Sequence, residues 1–174
     1  MTISQRDVRH TFDYNSDTGV FIWKNPPKSN PYLRGKEAGT LIKSHKPYRM
    51  IRAFGKSIYA HRLAWLYVYG KFPDCQLDHI NMVHSDNRIS NLRECNQSQN
   101  LANRPKTRKN PTSKYKGVSF CKKTKKWRAN YSYENRTLCL GRYSTQEEAA
   151  KVYDKKAIEL YGEFAVLNFD AKQP

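Results

Sequence analysis

The heptapeptide KWRANYS sets Trp127, Ala129 and Tyr131 at alternate positions, with Arg128, Asn130 and Ser132 between them. Side chains along a strand alternate between its two faces. The pattern therefore predicts a half-buried antiparallel strand, apolar on one side and polar on the other. It lies within KGVSFCKKTKKWRANYSYENRTLCLGRYS, which reads as three short strands with turns at Lys125-Lys126 and Glu134-Asn135-Arg136. The period then changes. In STQEEAAKVYDKKAIELYG, residues Ala149, Val152, Tyr153, Ala157, Leu160 and Tyr161 form one helical stripe. Thr145 and Glu148 fit a capping box, and Gly162 fits a C-cap. A three-stranded sheet with one helix across it follows, and Trp127, Ala129 and Tyr131 should face that helix. At about 60 residues such a unit is near the lower limit for folding alone, and its aromatic residues compensate.

The first half is patterned differently. A polar, helix-like turn precedes DYNSDTGVFIWK, where Ser16-Asp17-Thr18-Gly19 is a turn feeding the strand Val20 to Trp23. Residues 49–54 and 56–60 flank Gly55 and predict a hairpin. Over 61–69, Leu63, Trp65, Leu66, Tyr67 and Tyr69 predict a largely apolar helix that Gly70 ends, core for a small domain.

Residues 77–100, LDHINMVHSDNRISNLRECNQSQN, hold five asparagines. QLDHI and NLREC read as short strands, SDNRIS as the turn between them, and NQSQNLANR as a short helix with Asn96 or Ser98 as N-cap. Asp78 and His79 are neighbours in the first strand. In a regular strand they face opposite ways, but near a strand end both reach one cleft. A carboxylate oxygen and the amide oxygen of Asn100 are hard ligands, suited to Mg²⁺, Mn²⁺ or Ca²⁺ with water and phosphate in the remaining positions. A neutral imidazole beside such an ion is a general base for activating water.

Charge narrows the partner. The chain has 174 residues, 32 Lys+Arg against 15 Asp+Glu, and a formal charge of +17. Residues 1–104 carry 16 basic and 8 acidic side chains, and residues 105–174 carry 16 and 7. Both halves therefore suit one polyanion. Nucleic acid leads over an anionic membrane, because no basic amphipathic helix with a wide apolar face is present. No apolar run approaches 18 residues, and MTISQRDVRH has no apolar signal core. The four cysteines form no C-x-x-C pair, which argues against a zinc knuckle and for reduced thiols in a cytoplasm. NRPKTRKNPTSKYKG, basic and proline-bearing without an acid, reads as a linker. The expected organisation is α+β: a domain over 1–104, a basic linker over 105–114 and a second domain over 115–170.

The pieces DHIN, DNRISNLR and the following Asn100 resemble the HNH nuclease motif, the ββα-metal finger, in its H-N-N form. HRLAWLYVYG before them is also typical of phage and intron-encoded HNH endonucleases. Asn91 follows His79 by 12 residues and Asn100 follows Asn91 by nine, spacings ordinary for the motif. The resemblance implies a small ββα domain with an N-terminal hairpin extension. It implies Asp78 and Asn100 as ligands of one divalent metal, Mg²⁺ or Mn²⁺. It implies His79 as general base and Asn91 as the brace of its loop. The implied reaction is phosphodiester hydrolysis leaving 5′-phosphate and 3′-hydroxyl. Met82 stands where a glycine is common. By charge and proximity, Arg62, Arg88 and Arg93 are candidates for phosphate contact. His61 is open to either packing or phosphate contact, His84 reads as exposed loop, and Asn81, Asn87 and Asn96 read as turn and cap residues.

The second half resembles the AP2/ERF DNA-binding domain over nearly its whole length, through YKGV, KWRA, LGRY, EEAAKVYD and the closing LNF. In that family the sheet enters the major groove of duplex DNA, and the helix backs it. The resemblance puts Lys116, Ser119, Cys121, Lys123, Arg128, Asn130, Ser132, Thr137, Cys139 and Arg142 on or near the reading face. Tyr153 matches a tyrosine that reaches the backbone. Ser119, Cys121 and Cys139 replace larger side chains of the plant domains, so the plant target sequence does not carry over. Nine basic residues and no acid between Pro105 and Lys126 favour phosphate contact over a protein-interaction role. The combination is typical of phage-borne, homing-type endonucleases acting in a bacterial cytoplasm. Its rivals are a DNA-binding regulator with a decayed nuclease domain and an RNA-directed nuclease. The deep A-form groove would not admit the sheet.

Overall fold

The computed structural model describes residues 2–42, 44, 46–103, 112–133 and 136–169. The chain divides into two units, Met1–Cys95 and Asn96–Pro174.

The polar start of the first unit is a true helix, α1 (Gln5–Thr11), because Ser4 and Asp7 close a reciprocal capping box. β1 (Phe12–Asn15) and β2 (Val20–Trp23) pair antiparallel, with Asn15 opposite Val20. Asn15 Oδ1 accepts from the backbone N–H of Asp17 and Thr18 at 2.9 and 3.0 Å, which folds the turn between them. β3 (Thr40–Leu41), β4 (Arg49–Ala53) and β5 (Lys56–Tyr59) form a second antiparallel sheet. Phe54 and Gly55 between β4 and β5 take φ of 55° and 70°, the paired left-handed turn that matches strand twist. The chain then enters α2 (Ala60–Tyr69) without a loop, and Gly70 caps it with an N–H to the Leu66 carbonyl. α2 buries Leu63, Ala64 and Leu66 against Val8, Phe12, Phe21 and Ile51. Each such fully buried apolar side chain contributes about 1.5–3 kcal/mol. β6 (Gln76–His79) and β7 (Leu92–Cys95) form an antiparallel pair. Leu92 reaches the same core, which ties this pair to α2.

The second unit opens with α3 (Gln97–Ala102), capped by Asn96 and Gln99. β8 (Val118–Cys121), β9 (Lys126–Tyr133) and β10 (Arg136–Tyr143) make the expected three-stranded sheet in the order β10-β9-β8. α4 (Gln146–Tyr161) packs across it, started by the Thr145–Glu148 capping box. Ala149, Ala150 and Ala157 let the helix approach closely over Val118, Ala129 and Tyr131. The stripe is rotated from the expected one: Ala150 and Asp154 are buried, whereas Val152 is only half-buried. A bulge between Cys139 and Gly141 leaves Leu140 as an extra residue in β10, and Leu140 turns into the core. That insertion brings Arg142 opposite Arg128 on the polar face. The expected turn at Glu134-Asn135 and linker residues 105–111 lie outside the described residues.

Candidate active site

The β6–β7 register sets Asp78 opposite Arg93 and His79 opposite Leu92. Nε and Nη2 of Arg93 both donate to Oδ2 of Asp78, at 3.1 and 3.0 Å. Both side chains are largely withdrawn from water, 7% exposed for Asp78 and 13% for Arg93. Arg93, expected on phosphate, is thus committed to the carboxylate expected to hold metal. A buried pair of this kind, with two donors on one oxygen, fixes the direction of the carboxylate.

His79 ends β6 and is buried. Asn91 holds the loop that follows it at both ends. Its Oδ1 accepts from the N–H of Asn81 at 3.0 Å, its Nδ2 donates to the Asp86 carbonyl at 2.9 Å, and its own carbonyl takes the N–H of Ile80 at 2.9 Å. Met82 adopts φ of 60°, so it takes up the glycine-like conformation of the loop at a strain of about 1–2 kcal/mol. Asp86 is stapled to Arg88, whose Nη2 lies 2.6 Å from Oδ2, and this hydrogen bond holds the Asp86 carboxyl below its usual range.

Three rings that the sequence scattered meet His79. His61, from the first turn of α2, lies edge-on at 5.2 Å between centroids, and His84 lies at 5.7 Å. Tyr48, just before β4, touches all three imidazoles at 4.8 to 5.9 Å. Tyr59 stacks on His61 at 5.4 Å and 14°. Burial lowers His61 to about 3, with His79 adding to the effect. Burial lowers His79 to about 4, while Asp78, Asn87 and Asp86 work the other way. Both rings are therefore neutral at pH 7, the state a general base requires. His84 is half-buried rather than an exposed loop residue, and its ionisation is likewise lowered by desolvation. His61 resolves toward packing, with Nδ1 buried and without a hydrogen-bond partner among the described residues. Hydrophobic periodicity could not mark this cluster, because its members come from separate segments of the chain; only its ring-rich composition hints at it.

Asn87, expected as a turn or cap residue, is 2% exposed and stands behind the site. The Tyr14 hydroxyl donates to its carbonyl at 2.7 Å. Gly19, in the β1–β2 turn with φ +73°, presses on the same backbone: a Cβ there would lie 2.5 Å from the Asn87 carbonyl carbon and from Arg88 N. Arg62 points elsewhere, its guanidinium 5.7 Å over the Phe72 ring in a shallow groove shared with Ile3, Lys56 and Ile58.

Asn100 is half-buried in α3, where its N–H bonds to the Asn96 carbonyl at 3.0 Å. Among the described residues no three His, Cys, Asp or Glu side chains are grouped to hold a metal. Asp78, in the first unit, and Asn100, in the second, each offer a hard oxygen donor. Oxygen donors of this kind suit Mg²⁺ or Mn²⁺ with phosphate and water in the remaining positions.

On the second unit, Ser119, Arg128 and Arg142 form one rung across three strands, and Asn130 with Cys139 and Ser132 with Thr137 form the next two. Like charges directly opposite repel, and no acid faces Arg128 or Arg142 in the register. Arg128 Nε is buried without a hydrogen-bond partner among the described residues. Ser132, Lys123, Thr137, Cys139 and Arg142 are exposed; Ser119, Cys121 and Asn130 are half-buried. Two expected contacts are placed otherwise. Tyr153 is 5% exposed, packed on Tyr131 at 5.0 Å, and its ring fills the space above Gly117, so it packs in the core of this unit. Lys116 is half-buried, with its ammonium on the Ala102 carbonyl at 2.9 Å.

Residues 58–102 match the family model described as HNH endonuclease, and residues 113–163 match that of the AP2 domain. The chain thus has one segment similar to HNH endonucleases and, after it, one similar to the AP2 domain. An uncharacterized HNH endonuclease of Acanthamoeba polyphaga mimivirus is 34% identical over 110 residues, covering 62% of this chain and 56% of that protein. An ethylene-responsive transcription factor of Arabidopsis thaliana is 48% identical over 60 residues, 33% of this chain and 14% of its own length. An APETALA2-like protein of Oryza sativa subsp. indica is 36% identical over 77 residues, 40% of this chain and 18% of its own length. The chain thus spans only part of each of these relatives. No solved structure gives a significant match. No helix among the described residues is long and apolar enough to cross a membrane.

Proposed function

We propose that the protein is a metal-dependent DNA endonuclease that hydrolyses phosphodiester bonds to 5′-phosphate and 3′-hydroxyl ends. The observation that carries this is His79: a buried imidazole kept neutral by its surroundings, one residue from a carboxylate oriented by Arg93. His79 takes a proton from the attacking water. Asn91 holds the loop leaving His79, so the ring is presented in one direction. Asp78 and Asn100 are assigned as ligands of one Mg²⁺ or Mn²⁺, an assignment that rests on motif spacing and donor chemistry. The ion supplies charge stabilisation at the scissile phosphate and leaving oxygen.

We assign cutting to residues 1–104 and reading to residues 115–170, joined through 105–114. Duplex DNA is the substrate because the unneutralised Arg128–Arg142 rung lies on a sheet face of the kind that enters a major groove. Ser119, Lys123, Asn130, Ser132 and Thr137 extend the contact, and Arg88 serves the cutting end. A virus-borne, homing-type gene acting in a bacterial host cytoplasm is the setting we favour. One observation favours a second reading. Arg93 already occupies Oδ2 of Asp78, so the carboxylate serves as a structural anchor in a non-cutting DNA-binding regulator. Asp78→Ala separates the two. Loss of Mn²⁺ affinity and of cutting, with duplex binding retained, supports the nuclease; a wild-type protein that binds duplex and never cuts supports the regulator.

A further inference from the structure

α3 is six residues long. A helix that short does not hold itself in water, so something outside it must fix it. Asn96 and Gln99 close its N-terminal end. At its C-terminal end Lys116 Nζ donates to the Ala102 carbonyl at 2.9 Å, and Ala102 and Asn103 are both buried. A cation on the last carbonyls meets the negative end of the helix dipole and satisfies an acceptor left bare by the helix end.

Lys116 is itself gripped. Its N–H donates to Asn168 Oδ1 at 2.5 Å, and Asn168 Nδ2 donates to its carbonyl at 3.1 Å. Asp154, on α4, accepts from the backbone N–H of Asn168 and Phe169 and from Asn168 Nδ2, at 2.9 to 3.0 Å. A chain of hydrogen bonds therefore runs from α4 through Asp154, Asn168 and Lys116 to α3. Burial lowers the Lys116 ammonium to about 8, opposed by the Asp154 carboxylate, which leaves most of it charged at neutral pH.

We propose that Lys116 is a positioning residue for the nuclease site: by capping α3 it sets the helix that carries Asn100. This rests on the nuclease reading above. The AP2 domain then does more than choose a site, since its folded core is what fixes the finger helix. A fragment of residues 1–104 lacks that cap and should cut more weakly than the full-length protein.

The test uses full-length protein. Lys116→Met keeps the aliphatic stem and removes the donor. Hydrogen exchange over residues 97–103 should quicken about tenfold, and Mn²⁺ affinity read by electron paramagnetic resonance should weaken about as much. Duplex affinity in metal-free buffer should stay within about twofold. Lys116→Arg, which restores a charged donor, should recover both losses in large part. If Lys116→Met folds poorly, Lys116→Gln, too short to reach Ala102, gives the same reading. Unchanged exchange over 97–103 overturns the cap. So does a loss of cutting that only tracks a loss of duplex affinity, the signature of a phosphate contact. A wild-type protein that never cuts, with exchange still quickened in Lys116→Met, sinks the nuclease reading and upholds the cap.

Discussion

Replacing Gly19 by alanine strikes the candidate site from behind. Two costs add. A side chain at φ +73° carries the left-handed penalty, about 1–2 kcal/mol. The new Cβ would also lie 2.5 Å from two backbone atoms, Asn87 C and Arg88 N, which have no flexible side chain to yield. Forcing that backbone aside costs about 1–3 kcal/mol more, as overpacking does. Gly55→Ala is the internal control, because Gly55 has φ +70° with nothing within 4 Å of its built Cβ. Gly55→Ala should cost only the first part, and Gly19→Ala both, a difference of about 1–3 kcal/mol. Urea unfolding followed by the fluorescence of Trp23 and Trp65 measures it, with an unchanged slope showing that the unfolded state is not involved. Since Asn87 stands buried behind His79, Gly19→Ala should also slow cutting where Gly55→Ala does not. Equal stability losses in the two variants would refute the contact between the β1–β2 turn and the loop.

Two further outcomes are expected. His61 and His79 have folded pKa values of about 3 and 4, below the 6.5 of a free imidazole. Their contribution is therefore complete above pH 6.5 and lost as pH falls toward 4 and then 3, on the order of 3 to 5 kcal/mol each. Urea midpoints of the first unit measured at pH 7, 5.5 and 4.5 should fall steadily, and a flat profile would contradict the burial of these rings. Arg128→Ala or Arg142→Ala should leave the second unit as stable or up to about 1 kcal/mol more stable, by removing repulsion across the rung. Each should weaken duplex binding and lower its salt slope by about one; unchanged binding would remove the rung from the interface.

The sequence exposed most where one local rule governs. The alternation of Trp127, Ala129 and Tyr131, the Thr145–Glu148 box, the Phe54-Gly55 turn and the Asn96 cap are each decided by neighbours in the chain, and each is present. What it hid depends on distance. The bulge at Leu140 answers to the partner strand, not to the local pattern. Tyr48, His61 and His84 converge on His79 from separate elements, and nothing in their own segments marks them. Lys116 looked like one more cation in a basic run until its carbonyl partner lay 14 positions earlier in the chain. Asn87 has the composition of a turn residue and the burial of a core one. Asp78, His79 and Asn91 drew attention through their spacing, and the structure brings them near one another, with Asn91 bonded to the loop that leaves His79.

The most direct measurement is to incubate the full-length protein with duplex DNA and Mg²⁺ or Mn²⁺ and map the ends it makes. The expected result is breaks with 5′-phosphate and 3′-hydroxyl ends that ligase reseals, and a His79→Ala protein that binds the same duplex with unchanged affinity and makes none. Cutting by His79→Ala at the wild-type rate, or no breaks from the wild-type protein with either ion, would contradict the account.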